Sequence, residues 1–265
     1  MKLFSFFRKE KISNHTNENL KGYVYYSDDE DKRFSEAKAN DIIKNKNNRP
    51  PWIVVNHDLN SIIVTKWPGK LFEVEVLNQS NEKKLNKGLV KDVRYTRTLG
   101  VKIIREIPLE NLFGENGIEI CQIINITRNI TEQQVISLSE FKNDDSREIY
   151  SNAWVKWITI YDKESYHAKD KHYDTLKIFT NNNNHSHSPI KQGLGIIASQ
   201  LDLRAREILG KKAFIISEGE KYLISEWTNA MEKLLHAGMA KESEGLLTIE
   251  EKEILTKPFR ETFKL

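Results

Sequence analysis

Four of the seven histidines, His167, His172, His185 and His187, fall in one polar stretch that also holds Asp170 and Asp174. Neutral imidazoles and carboxylates are ligands for divalent metals, so this stretch is where a metal-dependent hydrolytic centre would have to be built. Its spacing matches no His-Glu-x-x-His pattern, and Asn181-Asn182-Asn183-Asn184 beside His185-Ser186-His187 reads as a solvated loop. A second constellation is Arg94-Tyr95-Thr96-Arg97, which brings two guanidinium groups close to an aromatic ring, the chemistry of anion binding and of cation–π contact. On a strand Tyr95 and Arg97 share a face and Arg94 takes the other. A third set is aromatic. Trp154, Trp157 and Trp227 sit at helical spacing, which suits a core, while tryptophans also anchor interfaces.

Other reactive side chains have plain explanations. Cys121 lies among Ile118, Ile120, Ile123 and Ile124, surroundings that favour a buried, protonated thiol over a thiolate nucleophile. Glu73 and Glu75 alternate with Phe72, Val74 and Val76, as the wet side of a strand would. Gly193-Leu194-Gly195 lacks the third glycine or following Lys-Ser/Thr of a phosphate loop and falls inside a helical pattern. No cofactor is expected.

The elements that would position these residues change character along the chain. Residues 1–20 are read as a tail, whose Leu3, Phe4, Phe6 and Phe7 beside a basic cluster offer at most a weak peripheral foothold on a membrane. A surface helix is expected over 29–44. Strands follow at Trp52–Val55, Ile62–Trp67, Phe72–Val76 and within Val93–Ile107, with Gly100 marking a bulge or bend. After Pro108 helical periodicity takes over. A short helix, or else a strand, covers Ile118–Ile126; capping boxes open at Thr131 and Thr248; a wide aromatic helix runs from Asp145 through Tyr161. Pro189 opens a helix whose apolar stripe runs Ile190, Leu194, Ile197, Leu201, Ala205 and Ile208 up to Gly210. A strand at Ala213–Ile216 precedes a helix expected to stop near Gly238, with His236 at its end facing the helix dipole, and the last helix should end before Pro258. The fold class is therefore α+β: a β-rich part with a small sheet over 21–143, then a mainly helical part over 144–265 containing the long polar connection 162–188.

Composition narrows the function class. The chain has 265 residues, 38% hydrophobic and 30% charged, with five Trp and eleven Phe, enough apolar surface to fold without metal or disulfide. One cysteine cannot form an internal bridge, and no run reaches the roughly 18–20 apolar residues that span a bilayer. The near-neutral balance of 41 Lys+Arg against 38 Asp+Glu conceals segregation. Residues 80–105 carry eight basic and two acidic side chains, a net of +6, while 106–148 carry three and nine, a net of −6. The expectation drawn from this is a non-catalytic, cytoplasmic binding protein that engages another protein through charged and aromatic surface, with Arg94, Tyr95, Arg97, Trp154 and Trp157 as candidate contacts. Heavy use of Asn, Lys and Ile is what an AT-rich coding sequence gives, so a bacterial accessory protein, for example one with a toxin-neutralising or secretion-associated role, is the expected kind. The alternatives are a metal-dependent hydrolase using His167, His172, His185 and His187, and a weak nucleic-acid binder using the basic segment 83–105.

Overall fold

A computed structural model describes residues 20–45, 51–77, 95–142, 144–161, 189–243 and 245–265. Its strands are β1 (Lys21–Ser27), β2 (Ile42–Lys44), β3 (Ile53–Asn56), β4 (Gly69–Val76), β5 (Tyr95–Thr98), β6 (Gly100–Ile107), β7 (Phe214–Ser217) and β8 (Glu220–Leu223). Its α-helices are α1 (Lys32–Ser35), α2 (Gly117–Arg128), α3 (Glu132–Glu140), α4 (Asp144–Tyr161), α5 (Pro189–Leu209), α6 (Ser225–Glu242) and α7 (Ile249–Phe263). The fold is α+β, a six-stranded antiparallel sheet in the first half and mostly helices in the second.

The sheet runs in the order β2-β6-β4-β1-β3-β5. Leu99 alone separates β5 from β6, yet the two strands stand four places apart in that order. A flat sheet would hold them roughly 19 Å apart, and one residue spans at most about 3.6 Å. The sheet therefore rolls into a small barrel whose seam passes through Thr98–Gly100. There the Thr98 hydroxyl lies 3.0 Å from both the Leu77 and Gly100 carbonyls, and the Leu99 carbonyl accepts from Asn45 N at 2.8 Å. Gly100 is the bend: a Cβ on it would lie 3.1 Å from Lys44 Cγ. Alternation puts Val24, Ile53, Val55, Phe72, Val74, Val76, Val101 and Ile103 inside the roll.

The helix expected over 29–44 is a single turn followed by a strand. Asp31 caps α1 through Arg33 N, Phe34 and Ala37 drop into the barrel interior, and Ile43 pairs with Val101 on β6. Those apolar residues share the barrel's inside, which a thin helical stripe could not distinguish from a helix face. The strand expected over Ile62–Trp67 is also absent. Its backbone bonds instead to one side chain of α5: the Gln192 amide nitrogen donates to Ile62 O at 2.9 Å, and its oxygen accepts from Val64 N at 3.1 Å.

Helices α2 to α7 surround a core that also takes Ile62, Leu71 and Ile107 from the barrel side. Both capping boxes form, at Thr131/Gln134 and Thr248/Glu251. The α5 stripe is buried from Ile190 through Ala205, and Gly210 ends the helix with φ 58°. In α2 the inward face is Ile120, Ile123, Ile124 and Thr127, while Ile118 is exposed. Helix α6 does not stop at Gly238 but continues to Glu242. Gly238 serves close packing there, since a Cβ would stand 2.6 Å from Leu194 Cδ2 and 2.9 Å from Ile197 Cδ1 of α5. Helix α7 likewise runs through Pro258. The ring costs it the hydrogen bond to Ile254 O, and burial of Pro258 and Phe259 offsets that loss.

Candidate functional site

Strand β5 alternates outward and inward, so Tyr95 and Arg97 point to solvent while Thr96 and Thr98 are buried. Antiparallel register sets Val54 opposite Arg97 and Asn56 opposite Tyr95 on β3. The outer face of these strands thus gathers Tyr95, Arg97 and Val54, the last 41% exposed. The Arg97 guanidinium lies 5.6 Å from the centroid of the Tyr95 ring, so a cation and an aromatic face form one preformed surface. Beneath it, Ile53 and Val55 are locked in the barrel, and His57 Nε2 shares a 2.8 Å hydrogen bond with Thr96 Oγ1 that ties the end of β3 to β5. Arg94 lies outside the described residues, as do His167, His172, His185, His187 and the Leu3–Phe7 segment. Val54 was not singled out from the sequence, although its place in the alternation Ile53-Val54-Val55 is the signal that would have found it.

The tryptophans are elsewhere. Trp154 and Trp157 are 1% and 3% exposed and meet edge to face at 5.7 Å, with Lys191 Nζ 4.7 Å from the Trp157 ring centroid. Their area is spent inside the helical core, and they do not adjoin Tyr95 and Arg97 in one patch.

A polar cluster joins α4 to α6. The Glu232 carboxylate accepts from Arg147 at 2.8–2.9 Å and pairs with Lys233 Nζ at 2.9 Å. Burial opposes its ionisation, but these hydrogen bonds prevail and hold it below the usual carboxylate range. His236 packs against the Tyr150 ring with centroids 4.8 Å apart and planes tilted by 37°, and is 2% exposed. Burial pushes its imidazole down to about 4; Glu232 pulls it upward, while Lys233 and Arg147 add to the depression. At neutral pH it is uncharged and lies about a turn and a half before the end of α6, which corrects the expectation of a histidine at the helix end facing the dipole. That expectation followed from stopping α6 at Gly238.

The structure exposes two further groups. Glu73 is paired across the sheet with Arg105 at 2.7 Å, so it and Glu75 form no acid/base pair free of partners. Glu242, at the last turn of α6, has both carboxyl oxygens buried without a hydrogen-bond partner, and Oε1 is 2.8 Å from where a Cβ on Gly193 would stand. Burial raises its pKa well above the carboxylate range. Continuing the helical period four residues beyond Gly238 would have pointed to it.

Cys121 is half-buried, and burial, then the charges of Glu110 and Glu242, push its thiol up to about 12. Thiolate is therefore scarce at neutral pH. Labelling of the native chain by a thiol reagent at pH 7.5 is expected to be at least tenfold slower than in denaturant; equal rates would show an accessible, reactive thiol.

Among the described residues no group of three His, Cys, Asp or Glu side chains is placed to hold a metal ion, and no helix is long and apolar enough to cross a membrane. Compared with known proteins, the chain matches no family model, no curated protein and no solved structure.

Proposed function

We propose that the chain is a non-catalytic binding protein that engages another protein through the outer face of β3 and β5. The observation that carries this reading is the Arg97–Tyr95 pair, with exposed Val54 opposite Arg97, on a sheet whose other face is closed packing. Tyr and Arg over a rigid floor are the residues that concentrate interface energy, because they bury large area and keep a polar handle. The excess of positive charge in the sequence leading into β5 favours a partner with an acidic surface.

The test is capture from native lysate by the full chain, followed by titration of the purified captured protein against wild type, Tyr95→Ala and Arg97→Ala. Each variant should keep its fold and lose about tenfold or more in affinity, the scale of about 1–2 kcal/mol for an interface anchor. Unchanged affinity would remove this face from the interface. A nucleic acid bound with a steep inverse dependence on salt would favour the nucleic-acid alternative instead. A stoichiometric metal with hydrolytic activity would favour the hydrolase.

A further inference from the structure

The β7–β8 hairpin lies apart from the barrel, with only two strands in its sheet. Its turn, Ser217-Glu218-Gly219-Glu220, has positive φ at both central residues, 53° and 82°, the two-residue form whose twist matches the flanking strands. In such a hairpin the pair next to the turn, Ser217 and Glu220, exchanges hydrogen bonds, and exchange alternates from there. Ile215 with Tyr222 is then a bonded pair, and so is Ala213 with Ile224, as the 3.0 Å bond from Ile224 N to Ala213 O shows. The N–H and C=O groups of Phe214 and Ile216 consequently point away from β8. Among the described residues no other strand receives them.

The side chains along this edge are apolar and exposed. Ile215 and Ile216 are 53% and 80% exposed, and Tyr222, across from Ile215, is 50% exposed. Phe214 is held in place by Arg206 and Lys221, whose charged groups lie 4.7 and 4.0 Å from its ring centroid. Edges of soluble proteins are ordinarily blunted by charge. β8 has that protection in Glu220 and Lys221, whereas β7, Phe214-Ile215-Ile216-Ser217, carries no charge.

We infer that β7 pairs with β7 of a second copy of this chain, antiparallel about a two-fold axis at Ile215, making a four-stranded intermolecular sheet. In that register Phe214 and Ile216 of one copy exchange backbone bonds with Ile216 and Phe214 of the other, so the outward groups are satisfied reciprocally. Ile215 faces its own counterpart, and Tyr222-Ile215 continues into Ile215-Tyr222 as one apolar row across the sheet face. No charged side chain is set opposite a like charge. On β8 the outward groups belong to Lys221 and Leu223: the equivalent two-fold, at Tyr222, would set the Lys221 ammonium against Leu223, and two-folds centred on Glu220 or Lys221 would oppose identical charges. A second copy thus satisfies the outward groups of β7 without opposing like charges along the strand. This inference is independent of the β3/β5 reading. Four-residue strands bury little area, so the dimer belongs to the weak class.

The experiment is sedimentation velocity of the full chain from micromolar to about millimolar concentration, the range in which weak pairs assemble. Wild type is expected to pass reversibly from monomer to dimer. Ile215→Lys and Ile215→Glu should each remain monomeric, with unchanged helical circular dichroism and thermal midpoint, because each opposes like charges across the axis. Mixed one to one, the two variants should regain the dimer, since residue 215 faces residue 215. A wild type that stays monomeric throughout overturns the proposal and leaves the edge to a strand from a different protein. Dimers of the charged variants alone would place the interface elsewhere. Folded variants that fail to restore association on mixing would reject the register.

Discussion

Trp154→Ala is expected to lower the stability of the chain by about 3–5 kcal/mol, through lost contacts and the cavity left behind. The side chain is 1% exposed and meets Trp157 and Tyr150 edge to face at 5.7 and 6.2 Å. Against a total of about 5–15 kcal/mol for an ordinary protein, that is a large share. A urea titration reads it as a lower midpoint at unchanged slope. Tyr95→Ala, at the solvent-facing end of β5, is expected to move stability by only about 0.5 kcal/mol. The pair of measurements separates the aromatic residues that hold the fold from the one proposed to meet a partner. An unaltered midpoint for Trp154→Ala would move it out of the core and back among the contact candidates.

Glu242→Gln is expected to stabilise the chain increasingly as pH rises. The folded carboxyl, buried and unpartnered, ionises well above the unfolded one. Between those two values the folded state holds a proton that the unfolded state releases, so wild-type stability is full below the unfolded value and falls as pH rises toward the folded one. Burial is the cause of the raised value, and the Cys121 thiol beside it is uncharged at neutral pH. Glutamine removes the titration, so the difference between variant and wild type should widen from pH 5 to 8 and reach about 1–3 kcal/mol, the scale of one buried polar group without a partner. His236 titrates oppositely, its buried neutral ring losing stability as pH falls from the usual histidine range toward about 4, but it is common to both proteins and cancels in the difference. A constant difference across the range would mean that the carboxyl stays ionised in a solvated or paired form.

Helices with a cap and a long apolar stripe were legible in the sequence. Thr131-x-x-Gln134 and Thr248-x-x-Glu251 formed their boxes, and Leu194, Ile197 and Leu201 went into the core. So was the alternation of β4, and with it the placing of Tyr95 and Arg97 on one face of β5. What failed were positions decided by distant packing. Phe34 and Ala37 looked like a helix stripe because the barrel interior that receives them is built from strands as far away as β6. Gly238 and Pro258 read as stops, yet a glycine at a close helix crossing and a proline in a buried turn are both sustained by tertiary contact. The partnerless carboxyl of Glu242 lay beyond the first of those misread stops. The exposed β7 edge depended on β8, a strand of Glu-Lys-Tyr-Leu with little signal of its own.

The bonds from Gln192 to Ile62 and Val64 join positions 130 and 128 residues apart. An amide side chain can satisfy that stretch of backbone only after α5 and the barrel have both reached their places, because neither end holds the other in the unordered chain. The entropy of closing so long a loop grows slowly with length, but it must be met before this contact gives anything back. The clamp therefore falls on the native side of the folding barrier. In a chevron plot, Gln192→Ala should steepen nothing and leave the refolding limb in place while raising the unfolding limb. One glutamine then acts as a brake on the rate at which the two halves of the molecule come apart.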